Sequence, residues 1–215
     1  MATGNRPPET ILSSSELKLS ARGEKQGEYA KFGWQYAFGS ITATFFNGAK
    51  EGQNRFFNAK VKAPMVQWYC NELINASLPG PYSMPEGLEI KLYQGKGQDE
   101  KHVGSLVIGK DDEGLVWTSI TKDGFFKTKF YFTLPQGVRV CRLGGTELTK
   151  AEISSRRARS HAETLAQAAI LTWGAKFDPN EGNGYNDNKG GGFGGKPNAI
   201  STDDGMDDAI AGSGW

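Results

Sequence analysis

The residue types that carry chemistry are sparse in this chain, and their spacing assembles no catalytic or metal-binding pattern. Only two histidines and two cysteines occur in 215 residues. His102 adjoins the charged turn Gln98-Asp99-Glu100-Lys101, and His161 stands apart from any ligand-like spacing of thiols or carboxylates. Cys70 and Cys141 are distant from each other and lack a C-x-x-C partner. Two buried thiols in a reducing compartment are therefore expected, rather than a disulfide or a zinc site. No G-x-S-x-G, H-E-x-x-H or P-loop is present. Gly95-Lys96-Gly97 lacks the third glycine and the following helix of a phosphate cradle, and Asp111-Asp112 reads as a solvated turn. The chain is expected to be non-catalytic, with neither cofactor nor metal.

What the sequence does offer is an interleaving of cations with aromatic rings. Along a strand, alternate side chains point to opposite faces. In Phe125-Phe126-Lys127-Thr128-Lys129-Phe130-Tyr131-Phe132, this places Phe126, Thr128, Phe130, Phe132 and Leu134 on a core face. Phe125, Lys127, Lys129 and Tyr131 then share the solvated face. Around Arg55–Lys62, Phe57, Ala59 and Val61 read as inward, and Phe56, Asn58, Lys60 and Lys62 as outward. Ammonium groups that follow phosphates, beside rings that stack on bases, are what a single-stranded nucleic acid binds. Trp34 and Tyr36, in the stripe Phe32/Trp34/Tyr36/Phe38, are further stacking candidates, although four rings in a row also suit a core. Arg156, Arg157 and Arg159 could hold phosphates, or could form a solvated helix face.

Charge is divided along the chain. Residues 174–215 hold three cations and seven acids, a net −4, which leaves +5 for residues 1–173 out of the total of +1. Eleven of those last 42 residues are glycine, and few large apolar groups remain there to offset the entropy of ordering the backbone. The segment reads as a disordered Gly-rich linker, including Gly190-Gly191-Gly192-Phe193-Gly194-Gly195, that leads to an acidic tip with Asp203, Asp204, Asp207, Asp208 and Trp215. Clustered acids beside an aromatic ring suit docking to a partner's apolar pocket rimmed by Arg or Lys.

The elements that must position these groups follow from periodicity. Residues 1–27 read as a flexible N-terminal arm with one short strand near Glu16–Leu19. Residues 28–173 form the folded domain. From Tyr29 to Asn47 the alternation is that of a strand, interrupted at Gly39-Ser40 where the apolar parity switches, as at a bulge or bend of one long strand. Further strands are predicted over about 55–62, 88–94, 103–108, 115–121, 125–134 and 138–141, a spacing typical of a sandwich or barrel. Pro64 opens an internal helix that ends before Pro79-Gly80-Pro81. Thr149-Lys150-Ala151-Glu152 is a capping box that opens a long C-terminal helix over 149–173, with Ala158, Ala162, Leu165, Ala169 and Trp173 as its seam. No apolar run approaches the ~20 residues of a membrane span, and residues 1–9 hold no signal-peptide core.

A basic β-rich body, a glycine-rich linker and an acidic tip with a terminal aromatic residue form a layout that resembles bacteriophage single-stranded-DNA-binding proteins and, more loosely, their bacterial counterparts. The resemblance implies a mainly β, OB-fold-like closed barrel, here with added strands and two helices. It further implies sequence-independent binding and protection of single-stranded DNA during replication, recombination and repair, in the host cytoplasm. Asp203, Asp204, Asp207, Asp208 and Trp215 would then recruit a polymerase, helicase-primase or nuclease, and a homodimer is compatible with the layout. The chain departs from the usual pattern in three ways. Its internal helix follows the second strand rather than the third, its strands exceed five, and its last residue is Trp instead of the bacterial Ile-Pro-Phe ending. An RNA-binding β-protein and a protein-interaction module are the alternatives.

Overall fold

A computed structural model describes residues 11–176, except 24, 38, 39, 50–54, 96, 97, 99, 126 and 136. The tail residues Asp203, Asp204, Asp207, Asp208 and Trp215 and the glycine linker lie outside the described residues.

Two four-stranded antiparallel sheets make up the body, each a simple meander. The first contains β1 (Leu19–Arg22), β2 (Tyr29–Ala37), β3 (Ser40–Phe46) and β4 (Phe56–Val61), in that order. The second contains β5 (Leu88–Gln94), β6 (Lys101–Lys110), β7 (Val116–Thr121) and β8 (Phe130–Tyr131). Helix α1 (Ala63–Ala76) joins the sheets, and α2 (Lys150–Lys176) follows the second. The expected closed barrel is not formed among the described residues. β4 approaches β5 and β1 approaches β8, but no hydrogen-bonded ladder closes either seam.

The parity switch near Gly39 has a simpler cause than a bend. Phe32 pairs with Phe45, Trp34 with Ala43 and Tyr36 with Ile41, so 29–46 is a hairpin rather than one long strand. Since Ala37 pairs with Ser40, even-numbered residues of β2 lie opposite odd-numbered residues of β3. The inward face therefore changes parity between the two strands. In β4 the expected alternation holds, with Phe57, Ala59 and Val61 buried and Phe56, Asn58 and Lys60 exposed.

Aromatic contacts tie the sheets together. Phe130 of β8 lies 5.7 Å from the ring of Phe32 and 6.3 Å from that of Phe45. Burying such a side chain stabilises the fold by about 1.5–3 kcal/mol. Tyr69 of α1 bridges both sheets, with its ring 5.4 Å from Trp34 and its hydroxyl donating to Thr118 Oγ1 of β7 at 2.8 Å. Helix α2 packs through small residues, Ala158, Ala162 and Ala169, with Leu165 between them. Ser154 accepts from the Val116 amide at 2.9 Å and donates back to the Val116 carbonyl, which pins this helix to the start of β7.

Several local expectations are corrected. The segment near Glu16–Leu19 is a 3-10 turn, Ser15–Leu17, followed by β1. Leu12 and Leu17 are buried, so the N-terminal arm contributes side chains to the core. The strand predicted over 125–134 shrinks to Phe130–Tyr131. Phe125 turns edge-on against Phe57 of the first sheet, 4.7 Å between centroids. The strand predicted over 138–141 is a single bridge between Cys141 and Glu147, and Cys141 is exposed rather than buried. Trp173 is half-exposed; the helix seam runs instead through Ala168 and Thr172.

Candidate nucleic-acid interface

The outward face of the first sheet gathers rings and cations in adjoining rows. Register places Ser20, Lys31, Phe46 and Phe56 side by side across β1 to β4. The next row pairs Arg22 with Tyr29. Tyr29 is 62% and Phe56 53% exposed, large values for aromatic side chains on regular strands. The Arg55 guanidinium lies over the Phe46 ring at 5.8 Å. Lys60 occupies the outward position across from Thr42. The stem of Lys18 crosses Gly33, where an added Cβ would meet its Cγ at 3.3 Å. None of the described outward positions in these four strands is acidic.

Local sequence explains the arrangement. Once Ala30, Phe32 and Trp34 are committed to the core, the period of two turns Tyr29 and Lys31 outward. Gly48, at φ 91°, passes so close to Tyr29 that a Cβ there would meet its backbone at 2.6 Å. A glycine is required for the turn after β3 to clear the start of β2.

The residues singled out from sequence divide among four places. Phe56 and Lys60 lie on the first sheet's outer face, and exposed Lys62 follows just before α1. Trp34 is a correction: it is 1% exposed, packed between Phe32 and Tyr69, and unavailable for stacking on a ligand. Tyr36 is half-buried against the same core. Phe125 is half-buried on Phe57, with Lys122 Nζ 5.4 Å from its ring. Exposed Lys127 and Lys129 and half-buried Tyr131 lie by the second sheet. Burial, and next the Asp111 carboxylate that accepts its hydroxyl hydrogen bond, push the Tyr131 pKa up.

The arginines stand on α2. Arg156 and Arg159 line a cleft of about 730 Å³ with Leu78, Lys110 and Ser155, whereas half-buried Arg157 does not line it. Two of the cleft's cations already have partners. Arg159 Nε donates to Glu163 at 2.9 Å, and Lys110 Nζ donates to the carbonyls of Leu78 and Gly80, both at 2.8 Å. Burial lowers the Lys110 pKa. This cleft shares no residue with the aromatic rows.

Sequence reasoning missed Tyr29, Lys31, Phe46, Arg22 and Arg55. The signal lies in the odd-numbered residues of β2, opposite the even-numbered stripe that forms the core face. Among the described residues no three His, Cys, Asp or Glu side chains gather as a metal site, and no helix is long and apolar enough to cross a membrane. Compared with known proteins, the chain matches no family model, no curated protein and no solved structure.

Proposed function

We propose that this chain is a non-catalytic protein that binds single-stranded DNA, without sequence preference, across the outer face of its first sheet. The observation that carries this reading is the row Lys31–Phe46–Phe56 beside Arg22–Tyr29, with the exposed rings of Phe56 and Tyr29 among cations and no acid. A duplex hides the faces of its bases, whereas a single strand offers them to exposed rings. Ring stacking contributes about 1–3 kcal/mol per base and tolerates any sequence. Lysine and arginine supply the salt-sensitive part by neutralising phosphates.

The layout's resemblance to bacteriophage single-stranded-DNA-binding proteins belongs to the same reading. The approach of β1 to β8 and of β4 to β5 is what supports an OB-like arrangement within this reading. Under this reading the protein protects single strands in the host cytoplasm. Its acidic tip, through Asp203, Asp204, Asp207, Asp208 and Trp215, brings in a polymerase, helicase-primase or nuclease.

Fluorescence anisotropy with labelled oligo-dT tests the reading. Wild-type protein should bind at about 50 mM salt, and the double substitution Tyr29→Ala/Phe56→Ala should weaken binding by ten-fold or more. Absence of binding at that salt, or full affinity in the double variant, would overturn it. Competition with oligo-U separates DNA from RNA, and a preference for oligo-U would move the assignment to RNA.

A further inference from the structure

The second sheet carries a different arrangement on its own outer face. Trp117 of β7 lies across Gly109 of β6, where an added Cβ would fall 2.3 Å from the indole Cζ2. One side of the indole is thus seated on backbone. Lys129 Nζ sits 4.3 Å from the ring centroid, and the tryptophan is only 8% exposed. Beside it runs a mostly apolar trough of about 270 Å³, lined by Val107, Ser119, Thr121, Lys127 and Thr128 together with Trp117 and Lys129. Lys91 occupies the outward position two strands from Thr121, through Ser105. Glu89, opposite Val107, is the one acid at the described outward strand positions facing it.

We infer that this trough is a second contact for single-stranded polynucleotide, in which Lys129 covers the Trp117 indole until a phosphate draws its ammonium away and a base takes its place on the ring. The inference rests on the single-stranded DNA reading above. Charge selects the occupant, since the charged side chains lining the trough are Lys127 and Lys129, while the nearby carboxylates stand outside it, Glu89 opposite Val107 and Asp111 on the hydroxyl of Tyr131 beside Trp117. The exchange is favourable in form. The ammonium of exposed Lys129 gives up a cation–π contact and gains a phosphate, while the indole gains a stacked base. Gly109 is what makes the platform, because any side chain there would lift the indole from the sheet. The two contacts lie on different sheets, so only a strand long enough to pass between them engages both, and the second contact then acts by effective concentration.

The test compares a short dT oligomer of about 8 nucleotides, within the site size of one small binding face, with one of about 40 nucleotides. Lys127→Gln/Lys129→Gln changes two exposed side chains and should leave folding intact. It is expected to weaken the long oligomer by about ten-fold while leaving the short one within two-fold. Tryptophan emission should change on adding the long oligomer to wild-type protein, and that change should vanish in Trp117→Phe. Gly109→Ala, which displaces the indole, should also remove it. Unchanged affinity of the Gln double variant at both lengths overturns the inference while leaving the first-sheet reading intact, provided Tyr29→Ala/Phe56→Ala still weakens binding. Equal losses at both lengths also overturn it, as a general charge effect. If wild-type protein binds neither oligomer, both readings fall.

Discussion

Aromatic side chains in this protein do two separable jobs, and single substitutions tell them apart. Tyr29 and Phe56 are exposed, so replacing either by Ala should cost the fold no more than about 0.5 kcal/mol and appear in oligonucleotide affinity. Trp34 is the reverse case. Trp34→Ala removes a ring packed against Phe32 and Tyr69 and should destabilise the fold by about 3–5 kcal/mol in urea titration. Thiol chemistry gives an independent check on burial. Burial pushes the Cys70 thiol up to about 12, whereas Cys141 is exposed on its bridge. A thiol-specific reagent at neutral pH should therefore label one cysteine in the native protein and two after denaturation. Labelling of both without denaturant would contradict the packing of α1.

At the scale of elements, α2 depends on a reciprocal cap. Thr149 Oγ1 accepts from the Glu152 amide at 3.2 Å, and Glu152 Oε2 accepts from the Thr149 amide at 2.9 Å. Glu152 also pairs with Arg142. Hydrogen bonds from the Thr149 backbone amide, then from its hydroxyl, lower the Glu152 pKa below the usual 4.5, and Arg142 adds to this. A carboxylate whose folded pKa is depressed contributes stability that is complete above its unfolded value and is lost as pH falls through the folded one. Melting temperature should accordingly decline on acidification from about pH 4.5 downward, and Glu152→Gln should flatten that part of the profile. Thr149→Ala should lower stability by about 1 kcal/mol. The cap was legible in four consecutive residues because it is a local exchange of hydrogen bonds. The hairpin of β2 and β3 was only half legible. Its parity switch is visible in sequence, but a bulge in one long strand and a pair of antiparallel strands produce the same switch, and only the pairing of Phe32 with Phe45 separates them.

For the whole molecule, the division of charge into a +5 body and a −4 end has a measurable consequence. If about four phosphates are neutralised, log Kobs should fall against log salt with a slope of about −3; a slope near zero would remove the electrostatic basis of binding. Truncation before residue 201 removes four aspartates. It should leave or raise affinity for oligo-dT while abolishing capture of replication proteins, and weaker binding by the truncated chain would count against the acidic tip as a partner-docking element.

Sequence by itself determined the properties that depend on neighbours in the chain: the alternation of β4, the extent of α1, the cap of α2 and the contrast between a basic body and an acidic end. These rest on interactions over a few residues or on simple summation, and they needed no knowledge of pairing. Tertiary structure decided which parity of each strand is core. Tyr29/Lys31 and Phe32/Trp34 share one strand and one period, and burial against α1 and the second sheet chose the latter for the interior. It also decided that Phe125 packs on Phe57 and that Lys129 covers Trp117. Contacts between segments distant along the chain settled each of these, through competition for the same core that no local pattern encodes.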